Sequence, residues 1–392
     1  EDELRLFTNQ FYNNLVPSAV DIYSESSDLI VKSDLMLEMS GQRIIPDEGN
    51  GWNFTALRDI NFYLQYSHNC TEVNVRNRYD GVARFFRAYF YFEKVKRYGD
   101  IPWYDKALDS DDPELYKARD SREFVMQKML EDLDFAIANL PKTKNAYVLT
   151  RWTALALKSR VCLFEGTFRK YHGLEDYEKY LNACVSASET FMNESGYTLY
   201  KSGSTPYRDL FASINLQADE VIFGRDYEAS LSVLHNVQNY ENSTTMGRPG
   251  MNKKIVNSYL MADGSRFTDK AGYETMTFEQ ECQNRDPRLA QTIRTPGYTR
   301  IGSTKKEAPN LAYTMTGYHL IKYSMTANYD EYNKSCNDIP LFRTAEVYLN
   351  FAEAKAELGT LKQADINKSI KLLRDRVGMT CRFLPDFLVC SA

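Results

Sequence analysis

Apolar residues recur at intervals of three and four along much of the chain, which is the spacing of one face of a helix. The densest stretch lies between residues 83 and 104, where aromatic residues fall on more than one side of the predicted helix. A helix packed between neighbours is apolar around most of its circumference. We therefore predict that these aromatics belong to the core and that Gly99 and Pro102 end the helix. The Arg and Lys residues among them are expected to keep their charges in water.

Other stretches with the same spacing carry signals for the ends of their helices. Asp120 and Glu123 resemble a capping box ahead of an apolar stripe that ends at Pro141. Thr150 is placed to cap a helix that runs through Phe168 and is rich in small residues. A further helix is predicted by the apolar and small residues Tyr177, Leu181, Cys184, Ser188 and Phe191.

A helix late in the chain is apolar on two faces, between Thr344 and Gly359. Its two stripes are Ala345, Leu349, Ala352 and Ala356 on one side and Val347, Phe351, Ala354 and Leu358 on the other. A partner helix is predicted by Ile366, Ile370, Leu373 and Val377. Because both faces are apolar, we predict that Phe351 is buried, as is Phe86 in the aromatic helix.

Two-faced helices joined as antiparallel pairs are typical of stacked repeats of the tetratricopeptide type, although the chain shows no strict period of about 34 residues. We predict an all-α fold in one domain over residues 1–392, with tetratricopeptide-like helix pairs at about 1–193 and 341–379. Between about 194 and 340, Gly, Asn, Ser and Thr become frequent, and apolar runs such as Val221 to Phe223 are short enough for strands. This loop-rich insert is a candidate for ligand-binding loops.

Composition and charge exclude several classes of function. The chain has a net charge of -5, which argues against nucleic-acid binding, and no apolar run of about eighteen residues suited to a membrane span. Its seven Cys and four His stand apart, so we predict no metal site and no cofactor. The acidic pairs Asp111-Asp112 and Glu131-Asp132 are interpreted as solvated rather than catalytic. The first residue is Glu1, not Met, which suggests a trimmed leader or anchor.

Several motifs follow one another in a specific order. They are the aromatic helix of residues 84–102, the helix of residues 121–140 that ends in DLDFAIANL, the small-residue helix of residues 153–166, DEVIF at 219–223, MADG at 261–264, NRDPRL at 284–289 and the helix of residues 343–359. In this order they resemble the SusD/RagB-like outer-membrane nutrient-binding lipoproteins of Bacteroidetes. The resemblance covers residues 1 to about 379.

Two features depart from that family. The chain finishes in CRFLPDFLVCSA after its last predicted helix, where the family continues, so residues 380–392 form an atypical short C-terminus. The lipid-carrying Cys near the start of family members is absent, which we attribute to trimming.

The resemblance implies a binding protein without catalytic activity on the cell-surface face of the outer membrane, held there by an N-terminal lipid anchor. Such a protein captures an oligosaccharide and passes it to a SusC-like TonB-dependent transporter. A peptide-binding member of the same family is the main alternative. A tetratricopeptide adaptor and an α-helical glycoside hydrolase are further alternatives from other classes.

The candidate ligand site comes from the residues themselves. Trp52 stands in GNGWN just before a predicted helix, so we expect its ring near the surface. A sugar has an apolar face of C–H groups and a rim of hydroxyls, and it needs an aromatic platform beside hydrogen-bonding side chains. Trp52 with Asn50, Asn53 and Arg43 offers these groups. The alternative is that Trp52 anchors its loop onto the helices.

A second set of the same residue types lies in the insert. We expect Tyr227 and Tyr240, with Asn239 and Asn242 beside them, to offer further exposed rings and amides to a ligand.

Overall fold

The computed structural model describes residues 1–24, 27–46, 49 and 51–379 of the chain. Its helices are α1 (Asp2–Leu15), α2 (Val20–Tyr23), α3 (Leu37–Ser40), α4 (Thr55–Tyr66), α5 (Val73–Tyr98), α6 (Arg122–Asn139), α7 (Arg151–Tyr171), α8 (Tyr177–Glu194), α9 (Pro206–Ala212), α10 (Val237–Asn242), α11 (Lys253–Ser258), α12 (Phe278–Glu281), α13 (Thr344–Glu357), α14 (Gln363–Asn367) and α15 (Ile370–Arg376). Its strands are β1 (Ile30–Val31), β2 (Val221–Arg225), β3 (Gly250–Met251) and β4 (Ile339–Arg343). The short C-terminus predicted at residues 380–392 lies outside the described residues.

The long helices pack as antiparallel pairs. Gly81 near the start of α5 lies against Leu140 just after the end of α6. In the next pair, the Ser159 hydroxyl of α7 hydrogen-bonds the Ser188 hydroxyl of α8 (2.8 Å), and α13 packs against both helices. The predicted all-α, tetratricopeptide-like fold is confirmed. No helix within the described ranges is long and apolar enough to cross a membrane.

The aromatic residues of α5 form the centre of the largest apolar core. Phe86 is 1% exposed, and Phe351 of α13 is 0% exposed, so both burial predictions are confirmed. The Tyr91 ring stacks on Trp103 with their centroids 4.3 Å apart. Because α5 contacts α1 and α4 as well as α6, aromatics on more than one of its sides are removed from water.

One expectation for α5 is wrong. Arg87 does not keep its charge in water but is buried against α6, where its guanidinium makes two 2.7 Å hydrogen bonds to the Asp132 carboxylate. Its third contact, from Nη1, is to the Asn61 side-chain oxygen of α4 (3.2 Å). A helix enclosed by neighbours leaves a central Arg no path to solvent, so its charge is balanced inside the core.

The predicted cap of α7 is confirmed, while that of α6 is corrected. Thr150 and Thr153 form a capping box at the start of α7. At α6 the capping side chain is Ser121, whose hydroxyl accepts the Phe124 backbone N–H, because the Asp120 carboxylate instead accepts the Trp103 backbone N–H (2.7 Å).

The two-faced pattern of α13 is only partly realised. Its Phe351 face is buried, but Leu349 is 47% exposed, because the neighbouring helices α7 and α8 cover one side of α13 more fully than the other. The predicted partner helix is present as two short segments, α14 and α15, with Ser369 between them in a non-helical conformation.

The chain between α8 and α13 holds only short regular elements within the described ranges. The strand expected at Val221 to Phe223 is confirmed as part of β2, which pairs antiparallel with β4. Val221 stands opposite Arg343, at the junction with α13. The pairing brings the two ends of this long segment together beside the helices.

Candidate functional site

Trp52 lies in a tight turn that precedes α4. Its backbone N–H donates to the Gly49 carbonyl oxygen (3.0 Å). Gly51 has a φ of 83°, which favours glycine, and a Cβ there would lie 3.2 Å from the Tyr98 hydroxyl. The Lys94 ammonium of α5 donates to the Gly51 carbonyl oxygen. The turn is thereby held against the C-terminal end of α5.

The Trp52 ring contacts other aromatic rings but keeps part of its surface in water. It meets the rings of Tyr98 and Phe54 edge to face, with centroids 4.9 Å and 5.3 Å away. The guanidinium carbon of Arg119 lies over the ring, 5.0 Å from its centroid. The side chain remains 39% exposed, as its position in a loop led us to expect.

A cavity of about 530 Å³ opens beside Trp52, between α4 and the connection from α5 to α6. Its apolar lining consists of Trp52, Phe54, Leu57, Pro102, Tyr104, Leu108, Leu115 and Ala118. Its polar lining consists of Thr55, Arg58, Asn61, Lys106, Lys117 and Arg119. We call this space the Trp52 cavity. Its volume lies within the range of about 300–1,000 Å³ that is usual for ligand clefts.

The wall of the Trp52 cavity is attached to the helical core. The buried Asn61 side chain donates to the carbonyl oxygens of Tyr104 (2.8 Å) and Lys106 (3.3 Å). The Tyr104 backbone N–H in turn donates to the buried Tyr91 hydroxyl (2.6 Å). A binding wall held by core residues is preorganised, which reduces the entropy lost when a ligand binds.

The lysines of the wall take part in ion pairs. Lys106 lies 3.2 Å from Glu114 and 3.5 Å from Asp112, and the hydrogen bond to Glu114 raises the pKa of Lys106. Lys117 lies 2.9 Å from Asp120. Both pairs are partly exposed and connect neighbouring parts of the same loop, so they order the rim of the cavity.

Of the residues predicted around Trp52 that the structure describes, Trp52 alone lines the cavity. Asn53 is exposed next to it, and its side-chain oxygen accepts the Thr55 backbone N–H (2.8 Å) at the start of α4. Arg43 is exposed elsewhere and pairs with Glu38 at 3.6 Å. Asn50 lies outside the described residues. Among the described residues, the candidate site and the predicted set therefore share only the aromatic platform, Trp52.

The expectation of exposed rings in the insert is wrong, because Tyr227 and Tyr240 are both buried. The Tyr227 hydroxyl accepts the backbone N–H of Ala19 (2.8 Å), and the amide of the buried Asn242 donates to the Ser324 hydroxyl (2.8 Å). Asn239 is also buried. The Tyr227 hydroxyl and the amide groups of Asn239 and Asn242 thus make hydrogen bonds inside the protein, where a loop-rich segment satisfies buried groups with side chains.

Tyr240 also lines a second, mainly apolar cavity of about 590 Å³ between the N-terminal stretch and the insert. The ring lines this cavity but is almost fully buried, so it does not form a platform at the surface.

The sequence reasoning missed most of the Trp52 cavity, in particular Tyr104, Arg58 and Arg119. A signal was present, because the connection between the paired helices α5 and α6 runs from residue 99 to residue 121. Connections within helix pairs are usually about 2–8 residues, and longer ones are often functional. The length of this connection therefore indicates a candidate functional loop.

No carboxylate among the described residues lines the Trp52 cavity. Of the pair Glu131-Asp132, Glu131 is exposed and pairs with Lys128, but the solvated interpretation is wrong for Asp132, which is buried against Arg87. Over the same ranges, no group of three or more His, Cys, Asp or Glu could hold a metal ion. The cavity can therefore stack and hydrogen-bond a ligand, and the part of its lining that the structure describes holds no acid for glycoside cleavage.

Two family sequence models match separate parts of the chain. The model described as "Starch-binding associating with outer membrane" matches residues 43–151, which include the Trp52 cavity. The model of the SusD family matches residues 210–381. The chain belongs to the SusD/RagB-like family. The motif order noted in the sequence led to the same family.

Among curated relatives of this SusD-like chain, SusD-like protein P38 of Formosa agariphila is 23% identical over 334 residues. The match covers 79% of this chain and 59% of that protein, so the chain spans little more than half of its relative's length.

Solved structures share the SusD-like fold. A SusD-like carbohydrate binding protein of Bacteroides fragilis superposes with a TM-score of 0.78 and 18% identity, over 97% of this chain and 79% of that one. A structure described as determined with xylogluco-oligosaccharide has a TM-score of 0.64 and 16% identity, over 95% of this chain and 75% of that one. At these identities the likeness shows the fold alone.

Proposed function

We propose that this protein captures an oligosaccharide at the bacterial cell surface and passes it, chemically unchanged, to a SusC-like TonB-dependent transporter of the outer membrane. In this proposal it is held at the membrane by an N-terminal lipid anchor. The observation that carries the proposal is the Trp52 cavity, an aromatic cleft with hydrogen-bonding walls in a member of the SusD/RagB-like family.

The chemistry of the cavity suits a sugar. The exposed part of the Trp52 ring offers a π surface to the C–H face of a sugar ring, and Phe54 and Tyr104 extend the aromatic lining. Arg58 and Arg119 supply N–H donors for hydroxyl oxygens. An apolar platform with a few polar groups around it is the usual composition of a small-molecule cleft.

The relatives support the choice of ligand class and location. The family model over the cavity is described as starch-binding and associated with the outer membrane. One structural neighbour is described as a carbohydrate binding protein, and another contains xylogluco-oligosaccharide. The absence of any acid from the described cavity lining supports binding without cleavage.

A panel of oligosaccharides tests the proposal, with calorimetry for binding and chromatography for products. We expect one or more glycans to bind and to be recovered intact, and Trp52→Ala to weaken that binding. Hydrolysis of a bound glycan would contradict the binding function. Affinity for peptides together with silence toward every glycan would support a peptide-binding member of the family instead.

The transporter step needs a separate experiment. The full-length lipid-anchored protein is expected to co-purify with a SusC-like transporter from outer membranes of the same bacterium. A protein recovered without any such transporter, under conditions that preserve a known complex of this type, would contradict this part of the proposal.

A further inference from the structure

Among the described residues, the charged side chains that line the Trp52 cavity are all cationic. Arg58, Lys106, Lys117 and Arg119 contribute to the lining, and no carboxylate of the described residues does. The chain as a whole carries more acidic than basic residues, with a net charge of -5. The described lining of the cavity therefore has the opposite sign of charge from the chain as a whole.

Two of these four charges are balanced within the loop. Lys106 is paired with Asp112 and Glu114, and Lys117 is paired with Asp120. Lys117 also donates from its ammonium to the Trp103 carbonyl oxygen (2.7 Å). These two lysines shape the rim and leave little net charge for a ligand.

The two arginines are different. Arg58 donates from Nε to the Leu108 carbonyl oxygen (3.3 Å), and Arg119 lies over the Trp52 ring. Within the described part of the chain, neither guanidinium has a carboxylate within ion-pair distance. Both are exposed, so their remaining N–H groups are accessible from the cavity. A guanidinium with an open edge can bind a carboxylate or a sulfate through two parallel hydrogen bonds.

The guanidinium of Arg119 places a positive charge beside the Trp52 ring. Its guanidinium carbon is 5.0 Å from the centroid of the Trp52 ring, so a sugar stacked on the exposed part of that ring has its substituents within reach of the N–H groups. A guanidinium held over an aromatic face is also less mobile than a side chain extended into water.

We propose that the ligand of the Trp52 cavity is an anionic glycan, whose sugar carboxylate or sulfate ester is bound by Arg119 and Arg58 while a ring stacks on Trp52. This inference rests on the proposed glycan-binding function and narrows it to acidic sugars. Because both arginines are exposed, the preference depends on ionic strength.

The test uses three oligosaccharides of matched length: one neutral, one that contains uronic acid and one that is sulfated. Calorimetry measures their affinities for the wild type, Arg119→Gln, Arg58→Gln and the double variant, at low and high salt. Lys371→Gln serves as the matched control, because Lys371 is an exposed cation paired with Asp375 on α15. Circular dichroism confirms that each variant is folded.

We expect one of the acidic glycans to bind at least tenfold more tightly than the neutral one at low salt. In the double variant we expect this difference in affinity to fall to threefold or less, with little change in the affinity for the neutral glycan. The control variant is expected to keep the full difference. The comparison of the uronic acid with the sulfated glycan identifies which anionic group is bound.

The outcomes separate this inference from the function on which it rests. Equal affinity for neutral and acidic glycans, with binding still dependent on Trp52, would overturn the acidic preference and keep the glycan-binding function. An acidic preference that survives in the double variant would overturn the assignment to Arg58 and Arg119. Binding of an acidic peptide alone, with no glycan bound, would overturn both.

Discussion

The interiors of the helical scaffold and of the loop-rich segment between α8 and α13 are built differently. The scaffold core consists mainly of aliphatic and aromatic side chains such as Phe85, Tyr91 and Phe351. The loop-rich segment instead buries many polar and charged side chains, among them Arg208, Gln238, Glu241, Asn242, Arg294, Arg300, His319 and Asn337. The two regions therefore depend on different interactions.

Asn242 shows how the loop-rich segment is held. Its side-chain oxygen accepts from Arg294 (2.8 Å) and from Arg300 (3.1 Å). Its amide donates to the Ser324 hydroxyl (2.8 Å), and Arg300 pairs with Asp330 at 2.9 Å. One short polar side chain thus connects distant loops through directional contacts.

The difference follows from backbone hydrogen bonding. Helices satisfy their own N–H and C=O groups, so the helical scaffold can fill its interior with apolar side chains. Loops leave backbone groups without regular partners, and side chains must supply them. We therefore expect the loss of a buried apolar side chain to destabilise the scaffold most, and the loss of a side-chain hydrogen bond to destabilise the loop-rich segment most.

The strongest test of the scaffold half of this comparison is Phe351→Ala. We expect the free energy of unfolding to fall by about 3–5 kcal/mol, because the ring is fully buried and its loss leaves a cavity. Leu349→Ala on the same helix is the control and is expected to lower stability by only about 1 kcal/mol or less, since Leu349 is 47% exposed. Chemical denaturation measures both, and equal effects would contradict the assignment of buried and exposed faces.

In the loop-rich segment we expect Asn242→Ala to cost about 3 kcal/mol, because it leaves two buried guanidinium groups short of an acceptor. Asn182→Ala is the control, since Asn182 is exposed on α8. Hydrogen exchange locates the effect, and we expect the protection of loops around residues 294–330 to fall more than that of α7 and α8. An equal loss of exchange protection in the loop-rich segment and in the helical scaffold would contradict the view that different interactions stabilise the two regions.

A pH-dependent effect of roughly 2 kcal/mol is expected from Glu241. Burial raises the pKa of this carboxyl from 4.5 to about 7. A folded-state pKa above the unfolded one means that the proton stabilises the folded protein, and this contribution is lost as pH rises from about 4.5 through 7. The stability of the wild type relative to Glu241→Gln is therefore expected to fall between pH 5 and pH 8.

Urea titrations at several pH values measure that difference. Glu131→Gln is the control, because Glu131 is exposed on α6 and pairs with Lys128 on the same helix. A difference between wild type and Glu241→Gln that stays constant with pH would show that the Glu241 carboxyl does not titrate in this range.

The smallest effect on stability is expected for Trp52→Ala, with a change in melting temperature below about 2 °C, because the ring is part of a surface turn. Its effect on ligand affinity is expected to be tenfold or more, since stacking on an aromatic side chain contributes about 1–3 kcal/mol. A marked fall in melting temperature with unchanged glycan affinity would make Trp52 a structural anchor.

The helices were predictable because their signals are local. The cap at Thr150 and the spacing of apolar residues in α5 can be read from neighbouring positions. Leu349 and Arg87 were misjudged for the same reason, since periodicity does not show which helices cover a given face. Whether a residue on an apolar helix meets solvent depends on neighbours that are distant in the sequence.

The candidate site was predictable only at Trp52, where a Trp among Gly and Asn indicates a ring in a surface turn. Tyr227 and Asn242 have the same composition around them but are buried, because loops of this segment fold over one another. Composition distinguishes loops from helices, but it does not distinguish a loop at the surface from one that is packed inside.

By itself, the sequence determined that this chain is a helical protein of the SusD/RagB-like family, because helical periodicity and motif order are properties of the chain alone. Only the tertiary structure decided which residues meet around Trp52. The cavity joins a turn before α4 to a loop some fifty residues later, and Asn61 connects them through the carbonyl oxygens of Tyr104 and Lys106. Such contacts arise from the packing of helices, and no local pattern encodes them.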